Sequence, residues 1–174
     1  RAKAVNFGIV YGISAFSLSQ DIGVTVAEAK AYMEAYFATF PGVRKYMDDV
    51  VAKAKEQGYV ETLFHRRREL PEIRSSNFNM RSFGERVALN MPIQGTAADI
   101  MKLAMVAVEK RLKRELPEAK LVLQVHDELI VECPEPQAAA AAKLLEEEMG
   151  QVAHLSVPLT AEAYWGRNWL EAKG

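Results

Sequence analysis

The chain of 174 residues is 49% hydrophobic and carries 22 Lys plus Arg against 23 Asp plus Glu, a formal net charge of −1. That length and apolar content fit a folded domain with a real core and exclude a disordered tail, while the balanced charge restricts any nucleic-acid contact to a local patch. The single cysteine, Cys133, excludes an intramolecular disulfide and suits a reducing compartment, and no apolar run approaches membrane-spanning length or reads as a signal peptide.

The opening stretch RAKAVNFGIVY has helical spacing, with Lys3, Phe7 and Val10 or Tyr11 on one face and no capping residue ahead of it. With Arg rather than Met at position 1, it reads as a piece of a longer protein that starts inside a helix. Gly12 is the expected C-cap. Ser14 to Ile22 predicts a short helix closed by Gly23, and Thr25 with Glu28 forms a capping box opening a helix to about Phe40. Its aromatics Tyr32, Tyr36, Phe37 and Phe40 are expected in the core. Pro41-Gly42 breaks the chain, and Val43 to Gln57 predicts a further helix stopped by Gly58. YVETLFHRRRELPEI, from Tyr59, predicts two strands around His65, Arg66, Arg67 and Arg68. Three arginines in a row are either a solvated loop or a set of forks for phosphates.

A polar loop from Arg74 to Arg81 leads into Ser82-x-x-Glu85, read as a second capping box whose helix runs to about Asn90, where Pro92 interrupts it. From Gln94 or Thr96 a long helix presents Ile100, Leu103, Ala104, Ala107 and Leu112 at core spacing, with Lys and Arg at its C-terminal end. LVLQVHDELIVEC, Leu121 to Cys133, predicts a hairpin with a very tight turn at His126 and Asp127 between two apolar runs that should be buried. An Asp at a turn ordinarily serves local backbone chemistry, but Gln124, His126, Asp127 and Glu128 place four polar groups together, which a buried strand rarely tolerates without a use for them. An Ala-rich helix from about Gln137 to Met149 follows, then a last strand, Val157 to Tyr164, and a tail with Trp165 and Trp169. The predicted fold is α+β, an antiparallel sheet of the central hairpin and the last strand covered by long helices. Asp127 and Glu128 carry the oxygen donors that Mg²⁺ selects. Adjacent strand residues face opposite sides, so a further carboxylate is expected from elsewhere.

Three stretches, KAVNFGIVYG at Lys3 to Gly12, NMPIQGTAAD at Asn90 to Asp99 and LQVHDELI at Leu123 to Ile130, stand in that order and are joined by ETLFHRRRELP. Together they closely resemble the C-terminal part of family A DNA polymerases. The resemblance implies a helical portion of the fingers over residues 1–60 and a palm portion with its antiparallel sheet over residues 61–174. It implies that Lys3 contacts the phosphates of the incoming dNTP, that Phe7 stacks on it with discrimination against dideoxynucleotides, and that Tyr11 guards the template site. Asp127 matches the second catalytic aspartate, a Mg²⁺ ligand, and Glu128 its acidic neighbour. Arg86, Asn90, Gln94 and His126 match primer-template contacts, and Arg66 and Arg68 belong to a basic segment near the DNA backbone.

The implied reaction is template-directed nucleotidyl transfer from a dNTP to a primer 3′-hydroxyl with two Mg²⁺ ions, in the bacterial cytoplasm. The implied partners are primer-template DNA, dNTPs and the upstream part of the same polymerase. The family's first catalytic aspartate, thumb and most of its fingers would fall ahead of residue 1, so the 174 residues alone are expected to be inactive. Two other classes fit the residues. One is a non-catalytic DNA-binding module with salt-dependent, Mg²⁺-insensitive binding. The other is an excised subdomain that self-associates through former interfaces and has no DNA affinity.

Overall fold

Capping residues and glycines set the helices at the start of the fold. In this computed structural model, which describes residues 2–173 and side chains from residue 5 onward, α1 spans Ala2–Val10 and Gly12 follows it at φ +76°. A Cβ there would lie 2.9 Å from Leu89 Cδ1, so both conformation and space demand glycine. The helix expected from Arg1 is thus seen from Ala2, and the face assigned to Lys3 lies outside the described side chains. Helix α2 (Ala15–Ile22) is capped by the Ser14 hydroxyl, which accepts from the Ser17 N–H. Helix α3 (Val26–Thr39) opens on the predicted box: the Glu28 N–H donates to Thr25 Oγ1 at 3.2 Å and the Thr25 N–H donates to Glu28 Oε2 at 2.8 Å. Helix α4 (Pro41–Gln57) begins on Pro41 itself. The Pro-Gly pair therefore opens a helix instead of breaking the chain, because proline at the first helical position lacks only an N–H that would have no partner there.

Leu18, Ile22 and Ala29 form a small core with Val5, Ile13, Val24 and Met33 packed around it. The aromatics of α3 lie outside it, against expectation: Tyr32 and Phe40 are 49% and 50% exposed. Apolar residues are spread around α3, so no single face can be buried whole, and Tyr36 and Phe40 cover each other instead at 5.0 Å. Strands β1 (Tyr59–Glu61) and β2 (Arg67–Glu69) then pair antiparallel, Tyr59 opposite Glu69 and Glu61 opposite Arg67. A second core joins Ala54, Val60, Leu70, Ile73, Ala88 and Met91.

Helix α5 (Phe78–Glu115) is one element of 38 residues with Pro92 inside it. Two helices were expected here. Ser82 and Glu85 are interior residues, and the start is capped earlier by Asn77 Oδ1, which accepts from the Asn79 N–H at 2.9 Å. Pro92 removes one helical donor without stopping the helix, whose neighbouring residues Met91 and Thr96 are buried and held in place.

The chain divides into two compact units, residues 1–96 and 97–174. The second holds the rest of α5, the hairpin of β3 (Lys120–Val125) and β4 (Glu128–Glu132), and α6 (Ala138–Gln151). Its core is Val108, Leu112, Ala119 and Leu144. Arg111 of α5 reaches α6, with Glu147 at 2.7 Å and Glu148 at 3.1 Å. Leu103, expected in the core, is 43% exposed. Ala104, Val108 and Leu112 recur every four residues along the buried stripe, and Leu103 sits one residue off it.

Two further expectations fail in this unit. In β3, Leu121 pairs with Val131 and Leu123 with Ile130, so Val122 is an extra residue, and Val122 and Leu123 are 44% and 49% exposed rather than buried. Residues 157–164 form no strand, and each sheet in the described residues has two strands. Pro158 removes a ladder donor there, and the segment is held to α6 instead, the Ala163 N–H donating to Glu146 Oε1 at 3.0 Å. The α+β class stands, as a mostly helical chain with two small antiparallel hairpins. Among the described residues no helix is long and apolar enough to cross a membrane.

Candidate active site

Val125 pairs with Glu128, which leaves His126 and Asp127 as a two-residue turn. His126 takes the left-handed conformation at φ +52°, a conformation that non-glycine residues seldom adopt but that such tight hairpins require. Gln124 supports it, its Nε2 donating to the His126 carbonyl at 2.8 Å. Asp127 belongs to this turn and not to a strand. Strand alternation therefore does not separate it from Glu128, and the two exposed carboxylates border one concavity of about 1200 Å³ in the second unit, with Ala97 and Met101 of α5, Leu145 of α6 and Trp165 of the tail also on its wall. Neither carboxylate is engaged by another described residue. As hard oxygen donors they fit a Mg²⁺ ion in kind. In number they fall short, since the described residues contain no group of three or more His, Cys, Asp or Glu side chains placed to hold a metal.

In the first unit, Phe7 of α1 and Tyr11 in the turn just after it have ring centroids 6.2 Å apart and a 37° tilt, both reaching solvent. The Lys3 side chain lies outside the described residues. The end of α1 meets α5 at Gly12, where a Cβ would come within 3.7 Å of Arg86 Cγ. From Arg86 the residues Asn90 and Gln94 follow at four-residue steps, so the three share one stripe of the helix. Arg86 and Gln94 are exposed, whereas Asn90 Oδ1 is buried with no hydrogen-bond partner among the described residues, an orphan acceptor that a donor from a ligand would satisfy.

The arginine hairpin, read from sequence as either loop or phosphate partner, divides residue by residue. Arg67 Nε donates to Glu61 Oε1 at 2.6 Å and its guanidinium lies 4.4 Å from the Tyr59 ring centroid. That hydrogen bond holds the Glu61 carboxyl below its usual range and pushes the Arg67 guanidinium up. Arg66 Nη2 donates to the Gly95 carbonyl at 3.0 Å. Arg68 is exposed and has no ion pair among the described residues. Cys133 is half-buried, and burial pushes its thiol up, which makes it a poor nucleophile.

Thr96, expected only as a possible helix start, makes two further bonds. Its hydroxyl donates to the Pro92 carbonyl at 2.5 Å and accepts the Leu63 N–H at 3.0 Å. The four-residue step from Pro92 to Thr96 was the available signal. Phe7, Tyr11, Arg66, Arg68, Arg86, Asn90 and Gln94 thus stand in the first unit, and His126, Asp127 and Glu128 in the second.

Comparison with known proteins agrees with these motifs. The sequence pattern of DNA polymerase family A matches residues 1–171. DNA polymerase I of Streptococcus pneumoniae is 54% identical over 172 residues, 99% of this chain and 20% of the relative, and DNA polymerase I of Geobacillus stearothermophilus is 54% identical over 173 residues with the same coverage. The chain thus spans about a fifth of the length of the curated relatives it matches. Among solved structures, the POL domain of Pol1 from M. smegmatis, in complex with DNA primer-template and dNTP, superposes with a TM-score of 0.94 at 45% identity over 98% of this chain and 30% of that one. With its family pattern matched almost end to end, the chain belongs to DNA polymerase family A.

Proposed function

We propose that this chain supplies the nucleotide-facing helix, the primer-template face and one metal-binding aspartate of a DNA-directed DNA polymerase that joins a dNTP to a primer 3′-hydroxyl. The observation that carries the reading is Asp127, exposed at the tip of a two-residue hairpin turn beside Glu128, with neither carboxylate engaged by the described chain. The resemblance to a polymerase domain solved with primer-template and dNTP supports DNA and dNTPs as partners. Residues 1–60 act as the fingers portion and residues 61–174 as the palm portion.

The roles follow from the chemistry of each side chain. The Lys3 ammonium balances triphosphate charge, and the Phe7 ring stacks on the nucleotide and excludes water from it. Tyr11, its ring tilted beside that of Phe7, guards the template position. Arg86, Asn90, Gln94 and His126 probe minor-groove acceptors that all correct pairs share, which checks pairing without preferring a sequence. Arg68 meets backbone phosphate, and Arg66 stands in the same basic segment. Asp127 would hold Mg²⁺, with Glu128 beside it; when bound, such an ion would lower the pKa of the primer 3′-hydroxyl and neutralise phosphate charge. The chemistry is of the two-ion kind, and one turn aspartate with one neighbour does not complete it. The 174 residues by themselves therefore leave a primer unextended.

A chimera in which this chain replaces the matching fifth of the Geobacillus stearothermophilus polymerase tests the reading. With Mg²⁺ and dNTPs the chimera is expected to extend a primer and the isolated chain is not. Extension by the isolated chain, or a folded chimera that binds primer-template and leaves it unextended, contradicts the proposal.

A further inference from the structure

Gln94 lies between Pro92 and Gly95, whose carbonyls each accept a side-chain hydrogen bond. Pro92 gives the helix no N–H, and a helix that loses a bond there is free to bend at the turn that carries Gln94. Two contacts from the β1–β2 hairpin oppose this. Thr96, 8% exposed, accepts the Leu63 N–H at 3.0 Å and donates to the Pro92 carbonyl at 2.5 Å, so one hydroxyl ties the hairpin to the proline turn. Arg66 donates to the Gly95 carbonyl at 3.0 Å. The hairpin loop is itself stiff, because buried Thr62 Oγ1 accepts from both the Phe64 and the Arg66 N–H at 3.2 Å. Gly95 lets it approach: a Cβ there would lie 2.8 Å from Thr62 Cγ2. The Gln94 side chain is exposed and has no partner among the described residues.

We propose that Thr96 is a positioning residue for polymerisation: its two hydrogen bonds, with Arg66 on Gly95 as the second anchor, fix the backbone so that the Gln94 amide meets a minor-groove acceptor of the terminal base pair. The proposal rests on the reading of Gln94 as a primer-template contact. Loss of the Thr96 hydroxyl leaves Gln94 present and chemically intact but misaimed. A merely structural role for Thr96 would change thermal stability and leave base-pair recognition alone.

The test uses the chimeric polymerase and two primers, one natural and one with 3-deazaguanine at its 3′ end, which removes the minor-groove N3 acceptor. The unaltered protein is expected to extend the analogue about tenfold more slowly than the natural primer. Gln94→Ala extends both at one reduced rate. Thr96→Val, melting above the assay temperature, also loses the discrimination, and Thr96→Ser keeps it. Thr96→Ala removes the same bonds and replaces Thr96→Val if the latter does not fold. Full discrimination in folded Thr96→Val or Thr96→Ala, with Gln94→Ala lacking it, overturns the positioning role alone. Discrimination that survives in Gln94→Ala overturns the reading of Gln94 and this proposal with it.

Discussion

Arg67 and Arg68 are neighbours on β2 and differ in what already holds them. Arg67 is taken up by Glu61 and the Tyr59 ring, while Arg68 projects into solvent with no ion pair among the described residues. On the proposed DNA-facing role, Arg68→Ala weakens primer-template binding by the chimera and reduces the slope of log affinity against log salt by about one, the loss of one phosphate contact. Arg67→Ala leaves that slope unchanged and loosens only the hairpin, since an exposed pair contributes little to stability. Fluorescence anisotropy across a salt series checks both, and equal slopes for the two variants would refute the division. The same local logic explains which part of the site could be read beforehand. A polar cluster at His126 and Asp127 between apolar runs is visible in the sequence, as is the tight turn. The bond from Thr96 to Leu63 spans 33 positions and leaves no local trace.

At the scale of elements, the helices read best where their ends are capped by neighbours in sequence. The Thr25 and Glu28 box is such a case, and its carboxyl is held below the ordinary value chiefly by the Thr25 N–H and then by the Thr25 hydroxyl. The folded group therefore has the lower pKa, so its contribution to α3 is complete above the ordinary carboxylate range and disappears as pH falls through the folded value. An NMR titration is expected to place the Glu28 midpoint below 4.5, the value for an unperturbed group. Thr25→Ala removes the hydroxyl but keeps the N–H, so it should raise the midpoint only part of the way back while costing about 1 kcal/mol of stability. A midpoint at or above the ordinary value would contradict the box. Elements settled by distant contacts were less legible. The continuity of α5 through Pro92 depends on the burial of Met91 and Ala88 against β1 and Ile73, and the absence of a final strand depends on Glu146 of α6 taking the Ala163 N–H. Neither influence lies inside the segment it governs, so periodicity and Pro92 alone suggested two helices and an extra strand.

For the whole molecule, family membership rests on motifs distributed over both compact units, and the pattern extends over residues 1–171. The proposed activity draws the incoming nucleotide to α1, the primer-template to the α5 stripe, and the metal to the hairpin tip. In that proposal Asp127 carries the metal. The most direct measurement is single-turnover primer extension in Mg²⁺ by the chimera carrying Asp127→Asn, alongside its affinity for primer-template. The account predicts a fall in rate of at least about a hundredfold with affinity changed by less than about twofold, the pattern of a lost metal ligand rather than a lost DNA contact. Extension at the unaltered rate would contradict the account and return Asp127 to the role of an ordinary turn residue.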